Sequence, residues 1–208
     1  MGLIQTRGSR HWRESISVAT LKTYDVFDLF KTTNVNNKIV NSSSQDHCFL
    51  DLTRDNYSTL VPYLGDADKV LVGGRSNNGK RVPSVDTNAK TLTYSCANTY
   101  DTDSWCLFPI QRVNNVYKLK LTFMFTAKYN NYKNHCTVLY QVDGNELKSV
   151  LVDPKSMLYI DRDNTYNLNS WYTVETEKFS SLLSCDYIGF GAAVANVIFK
   201  DIQLFAKE

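Results

Sequence analysis

The chain lacks any run approaching the roughly 20 consecutive apolar residues that a membrane-spanning helix needs. Its first residues, MGLIQTRGSR, lack the apolar core of a secretory leader, so synthesis in a cytosol is expected. There is little net charge: 23 basic and 21 acidic residues leave +2 over 208 residues. No global field therefore draws the chain onto nucleic acid or an anionic membrane, and neither is expected as a partner. Histidine is scarce, with only His11, His47 and His135. No Ser or Cys sits in a nucleophile-elbow or protease-like context. The five cysteines, Cys48, Cys96, Cys106, Cys136 and Cys185, are odd in number. Without a leader they are expected to be reduced thiols. The sequons Asn41-Ser42-Ser43 and Asn56-Tyr57-Ser58 then read as coincidences. A particle assembled in the cytosol and later released would show the same pattern.

What the chain does have is β-leaning: 43% hydrophobic residues, 12% aromatic, and thirteen tyrosines. Residues 1–45 look unlike the rest. Arg7, Arg10 and Arg13 lie in a polar stretch without an acidic neighbour. In Ser15 to Thr32 the apolar residues Leu21, Tyr24, Phe27 and Phe30 recur every three positions. That is a helical spacing, but the Val, Thr and Tyr content favours a strand, and the two readings stay open. Asn34 to Gln45 is a polar connector. An anchoring segment at 1–45 and a β-domain at 46–208 are the expected organisation. The cluster Leu21, Tyr24, Phe27, Phe30 is too apolar to stay in water, so it is expected to order against another subunit, beside the arginines.

From residue 46 onward strand signals recur. Cys48 to Leu52, Lys69 to Val72, Thr91 to Cys96 and Trp105 to Ile110 are candidates. Asn114-Asn115 reads as a turn. Tyr117, Leu119, Leu121, Phe123 and Phe125 then alternate with Lys118, Lys120 and Thr122, placing five apolar residues on one face. Asp143-Gly144-Asn145 between Cys136–Val142 and Glu146–Val152 predicts a hairpin. Trp171 to Phe179, Tyr187 to Val194 and Val197 to Phe205 complete the set. Short strands without helical patterns between them predict an all-β sandwich or barrel.

The order of these pieces carries a resemblance. VYKLKLTFMFTA, a strand ending in VDG, a Trp-opened strand WYTV, the segment CDYIGFGA and the closing NVIFKDIQLF follow one another over residues 115–208. This half resembles jelly-roll carbohydrate-binding modules and the related sandwiches of bacteriophage tail and virion proteins. The resemblance implies an antiparallel jelly-roll-like β-sandwich with an N-terminal extension. It also implies that Trp171 is mostly structural. Lys200 departs from the acidic residue often found in the final strand of that family.

Three motifs point elsewhere and fail on chemistry. Gly74-x4-Gly79-Lys80 spaces a phosphate loop, but Arg81 stands where Ser or Thr must meet magnesium, and Pro83 opposes the helix it must open. Asp161, Asp163, Thr165 and Asn167 space calcium oxygens, yet Tyr166 replaces the required Gly and Tyr172 the bidentate Glu. His47-Cys48 and His135-Cys136 are adjacent pairs, and neighbours on a strand point to opposite faces, so neither pair chelates alone. No metal and no cofactor are expected. Glu175 with Glu177, or Asp101 with Asp103, could space the carboxylates of an inverting glycosidase, as any acidic strand could.

The better candidates are aromatics among polar residues: Tyr100 and Trp105 around Asp101, Asp103 and Ser104, and Tyr129 and Tyr132 in KYNNYKN. An apolar plate beside hydrogen-bonding groups suits a sugar ring. The expected function is a non-enzymatic structural or attachment protein of a bacteriophage virion, made in the host cytoplasm. Its partners would be other virion subunits, with a homo-oligomer and a glycan ligand both in view. A stand-alone carbohydrate-binding or adhesin domain is the alternative, and a polysaccharide hydrolase or lyase a more distant one.

Overall fold

The computed structural model describes residues 20–36, 38–40, 69–74, 83–95, 104–128, 137–143, 146–149, 157–158, 166–179, 182–192 and 195–208. These are almost entirely β. The strands are β1 (Leu21–Asp25), β2 (Lys38–Val40), β3 (Val70–Gly74), β4 (Ser84–Asp86), β5 (Thr91–Ser95), β6 (Ser104–Lys128), β7 (Thr137–Asp143), β8 (Glu146–Ser149), β9 (Met157–Leu158), β10 (Tyr172–Glu175), β11 (Leu183–Ala192) and β12 (Ala195–Lys207). One helical turn, α1 (Val26–Leu29), follows β1. The twelve strands form one hydrogen-bonded sheet. Every pairing is antiparallel except that of β2 with β3.

The 25-residue β6 organises the molecule. Its first half pairs with β11 on one side and β3 on the other. Its second half pairs with β12 and β10. β11 continues to β7 and β8, while β12 continues to β5 and β4 and carries β1 beside its last residues. One strand thus belongs to two limbs, which requires a corner. Phe190 of β11 and Phe199 of β12 are not ladder partners, yet their rings lie 5.9 Å apart. The Tyr94 hydroxyl on β5 donates to the Phe190 carbonyl at 2.9 Å, buried. The limbs therefore face each other across a shared core, an arrangement compatible with a β-sandwich.

The corner lies where the sequence reading expects a turn. Asn114-Asn115 does not end the strand; Asn115 adopts φ 56° and β6 runs on. The register against β11 slips between Cys185 and Leu183, leaving an extra residue on β6. Asn tolerates the left-handed region better than most residues, so a bulge forms here without glycine. Arg112 fixes it, donating through Nη1 to Asp186 (2.8 Å) and through Nε to the Asn114 side-chain oxygen (3.0 Å). The Ser184 hydroxyl donates to the same oxygen at 3.0 Å.

A second bulge reverses the parity of β12. Ala195, Val197 and Phe199 point inward before it, and Ile202, Leu204 and Ala206 after it. The step from Lys200 to Gln203 opposes only Thr122 to Lys120 on β6, and Asp201 takes φ 49°. A β-branched residue there would bear the full left-handed cost. Asp201→Val should lower stability by about 1–2 kcal/mol in urea denaturation, and Asp201→Gly should not.

The alternation over residues 117–125 is largely as expected. Leu119, Leu121, Phe123 and Phe125 are fully buried, and Lys118 and Lys120 lie nearer solvent. Tyr117 is only half-buried, because a register slip lets Val116 take the inward place. The hairpin of β7 with β8 closes with Asp143 opposite Glu146, as the Asp-Gly signal predicts.

The segment expected to order against another subunit packs on its own chain. β1 pairs with β12 from Leu21↔Lys207 to Asp25↔Gln203. Val26, Phe27 and Leu29 enter the hydrophobic core, with Tyr24 and Phe30 packed against it. Both readings left open by the sequence are realised in succession: a strand, then one helical turn. Asp25 makes the junction, its carboxylate accepting from the Phe27 amide at 2.9 Å. Lys90 clasps Asp25 and Asp28, each at 2.7 Å, joining this segment to the β4–β5 hairpin. The two carboxylates hold the Lys90 ammonium above its ordinary pKa, chiefly through the Asp25 hydrogen bond. The expectation that residues 1–45 stand outside the core thus fails for residues 21–30. Three-residue apolar spacing marks a face that must be covered, and here the same chain covers it.

Candidate functional site

The outward face of the β12 limb is built from cross-strand rows. One row runs Asp86, Thr91, Lys200, Thr122 and Thr173 across five strands. The next contains Ser84, Thr93, Ile198 and Met124. Residues in register on neighbouring strands share a face, so alternation with the buried Leu92, Phe123 and Phe199 makes these positions solvent-facing. Within the first row the Thr122 and Thr173 hydroxyls lie 3.0 Å apart, sharing one hydrogen bond.

Trp171 immediately precedes β10 and is 44% exposed. The Lys200 ammonium stands over its ring, 4.1 Å from the centroid. Neighbouring strands are about 4.8 Å apart, so β10 and β12 flank β6 at roughly twice that distance. Trp171 and Lys200 meet across that gap, above Thr122. This explains why Thr122 faces outward yet is only 8% exposed. Lys200 forms no ion pair among the described residues, and its ammonium rests on the indole face. An exposed contact of this kind contributes about 0.5–1 kcal/mol, too little to hold the ammonium in place against a stronger partner.

The indole is held out by what lies behind it. Tyr172 turns inward and stacks on Phe123 at 5.8 Å. Tyr166 meets Phe123 at 4.9 Å and Tyr172 at 4.7 Å. The Tyr172 hydroxyl accepts from the Asn167 amide at 3.0 Å, and Asn169, at φ 58°, donates its amide to the Phe125 carbonyl at 2.8 Å. With Tyr172 committed to the core, alternation sends its neighbour outward. The resemblance implied a structural role for Trp171, whereas the ring is substantially in solvent.

The other candidates fall differently. Tyr100, Tyr129 and Tyr132, and Arg7, Arg10 and Arg13, lie outside the described residues. So do His47, Cys48, His135, Cys136, Asp101, Asp103 and most of the two loop motifs. Trp105 sits on β6 in register with Gly73 of β3 and Gly191 of β11. Phe27, Phe30 and Tyr24 belong to the core or its margin. Leu21 stays outward, 62% exposed, beside a hollow of about 310 Å³ lined also by Tyr117, Lys178, Phe179, Leu182 and Lys207. Glu175 is paired with Lys118 at 2.7 Å. No group of three or more His, Cys, Asp or Glu that could hold a metal occurs among the described residues. No helix among them is long and apolar enough to cross a membrane.

Among the described residues, the ionisable group shifted furthest belongs to the core. Cys106 and Cys185 are buried and form no disulfide. Burial pushes Cys185 up to about 12, with Asp186 adding to the rise and Arg112 opposing it. A thiol this reluctant to ionise is a poor nucleophile. The linkage sign follows: the unfolded thiol ionises near 9.0 and the folded one near 12. Stability from this group is complete below pH 9 and falls as pH rises from 9 towards 12. The loss should reach a few kcal/mol, read as a falling urea midpoint, and Cys185→Ala should flatten that slope.

No protein-family model matches the chain, and no curated protein sequence matches it.

Proposed function

We propose that the chain is a non-enzymatic structural or attachment component of a bacteriophage particle, built on a jelly-roll-like β-sandwich of the carbohydrate-binding-module kind. One observation carries this reading: an indole held outward on a broad antiparallel strand face, among cross-strand rows of hydroxyl and charged side chains. A surface of this kind works by contact, since an aromatic plate and hydrogen-bonding neighbours recognise without reacting. The basic stretch of Arg7, Arg10 and Arg13 leads into β1, whose first residue Leu21 is exposed. That supports an arm reaching a neighbouring subunit, with β1 and α1 as its root in the fold.

Immunogold electron microscopy of particles released by the source culture tests this, using antibody against the purified chain. Label on intact particles is expected. Label confined to cell debris would overturn the particle assignment.

A second reading, a glycan-binding module acting alone, is favoured by Trp171 itself. A glycan array probed with the purified chain addresses it: signal is expected for the intact protein and its loss for Trp171→Ala. A blank array would remove this second reading and leave the first standing.

A further inference from the structure

The position of Lys200 narrows the ligand class. An ammonium over an indole face competes with any sugar ring that would stack there. A neutral sugar must displace the lysine and offers it nothing in return. A sugar bearing a carboxylate supplies both halves: its C–H face takes the ring, and its carboxylate takes the lysine in a charge-assisted hydrogen bond.

We infer that Trp171 and Lys200 form a binding site for an acidic sugar, of the uronic-acid class. In this site Lys200 leaves the indole face to pair with the sugar carboxylate as the ring stacks on Trp171. The exposed Thr173 lies in the same row and is placed to meet a sugar hydroxyl, with the buried Thr122 hydroxyl bonded behind it. No acidic side chain among the described residues is paired with Lys200, so its charge is available to a ligand. Two nearby carboxylates are engaged elsewhere. Asp86 accepts from the Asn88 and Ala89 amides at 2.9 Å, and Glu175 holds Lys118. Asp201 follows Lys200 at the bulge, in the left-handed conformation that turns the strand. This inference rests on the glycan-binding reading.

The test is calorimetric titration of the full chain at low salt. The probes are oligogalacturonate, a neutral xylo-oligosaccharide of the same length, and a thymidine oligonucleotide. Oligogalacturonate should bind best, and its affinity should fall as salt rises. Trp171→Ala should weaken it by roughly tenfold or more. Lys200→Gln should bring it down to the level of the neutral oligosaccharide, and Lys200→Arg should restore the preference. Both side chains lie at the surface, and circular dichroism checks that the variants fold. Neutral and acidic oligosaccharides binding equally through Trp171 would overturn the charge assignment while leaving the glycan reading intact. No binding of either sugar would overturn both. Oligogalacturonate binding unchanged by Trp171→Ala would place its site elsewhere. Tighter, Trp171-dependent binding of the oligonucleotide would reassign the face to nucleic acid.

Discussion

Phe123→Ala is expected to lower the stability of the chain by about 3–5 kcal/mol in urea denaturation. The ring is fully buried at the junction of two aromatic groups. It meets Phe125 edge-on at 5.5 Å, Tyr166 edge-on at 4.9 Å and Tyr172 face-on at 5.8 Å. Truncation removes its own burial and the aromatic contacts, and leaves a cavity that three rings tethered to separate backbone segments cannot close. The loss should also reach the surface. Tyr172 orients Trp171, so the variant should lose any binding that depends on that indole. Met124→Ala, one position along and facing outward, should cost far less. Equal losses for the two variants would mean that the register of β6 is misassigned.

Deletion of residues 1–30 is expected to abolish cooperative unfolding. The segment contributes the β1 ladder on β12 and three side chains, Val26, Phe27 and Leu29, within the core. At about 1.5–3 kcal/mol per buried side chain, these alone approach the whole stability of a typical domain. Removing β1 also uncovers Leu204 and Ala206, its buried neighbours on β12. Thermal melts followed by circular dichroism check this. A truncated chain that melts as sharply as the intact one would show that the segment is an appendage.

The all-β character was readable because period-two alternation leaves little choice: Leu119, Leu121, Phe123 and Phe125 could only share a buried face. The Asp143-Gly144-Asn145 hairpin was readable for a similar reason, since its turn residues specify the connection. The course of β6 was not. Asn114-Asn115 has turn chemistry, and whether Asn in the left-handed region closes a hairpin or bulges a continuing strand is settled by partners 70 residues away, such as Ser184 and Asp186. The docking of β1 and α1 was hidden likewise: the spacing of Leu21, Tyr24, Phe27 and Phe30 shows that a face needs cover and not what covers it. At the candidate site, the resemblance makes Trp171 a structural tryptophan and so hides its exposure. Its own neighbours carried the better signal, for Asn167, Asn169 and Ser170 make a polar approach to a strand. In the sequence Lys200 is only a departure from an acidic position, and its place over the indole follows from a register the sequence does not display.

The proposed role is that of a particle component acting by contact. Quantitative mass spectrometry of gradient-purified particles from the source tests it most directly. The chain should co-purify with the particles at a fixed ratio to their major structural proteins, through repeated gradients and moderate salt. Abundance in the lysate with absence from the purified particles would contradict the account.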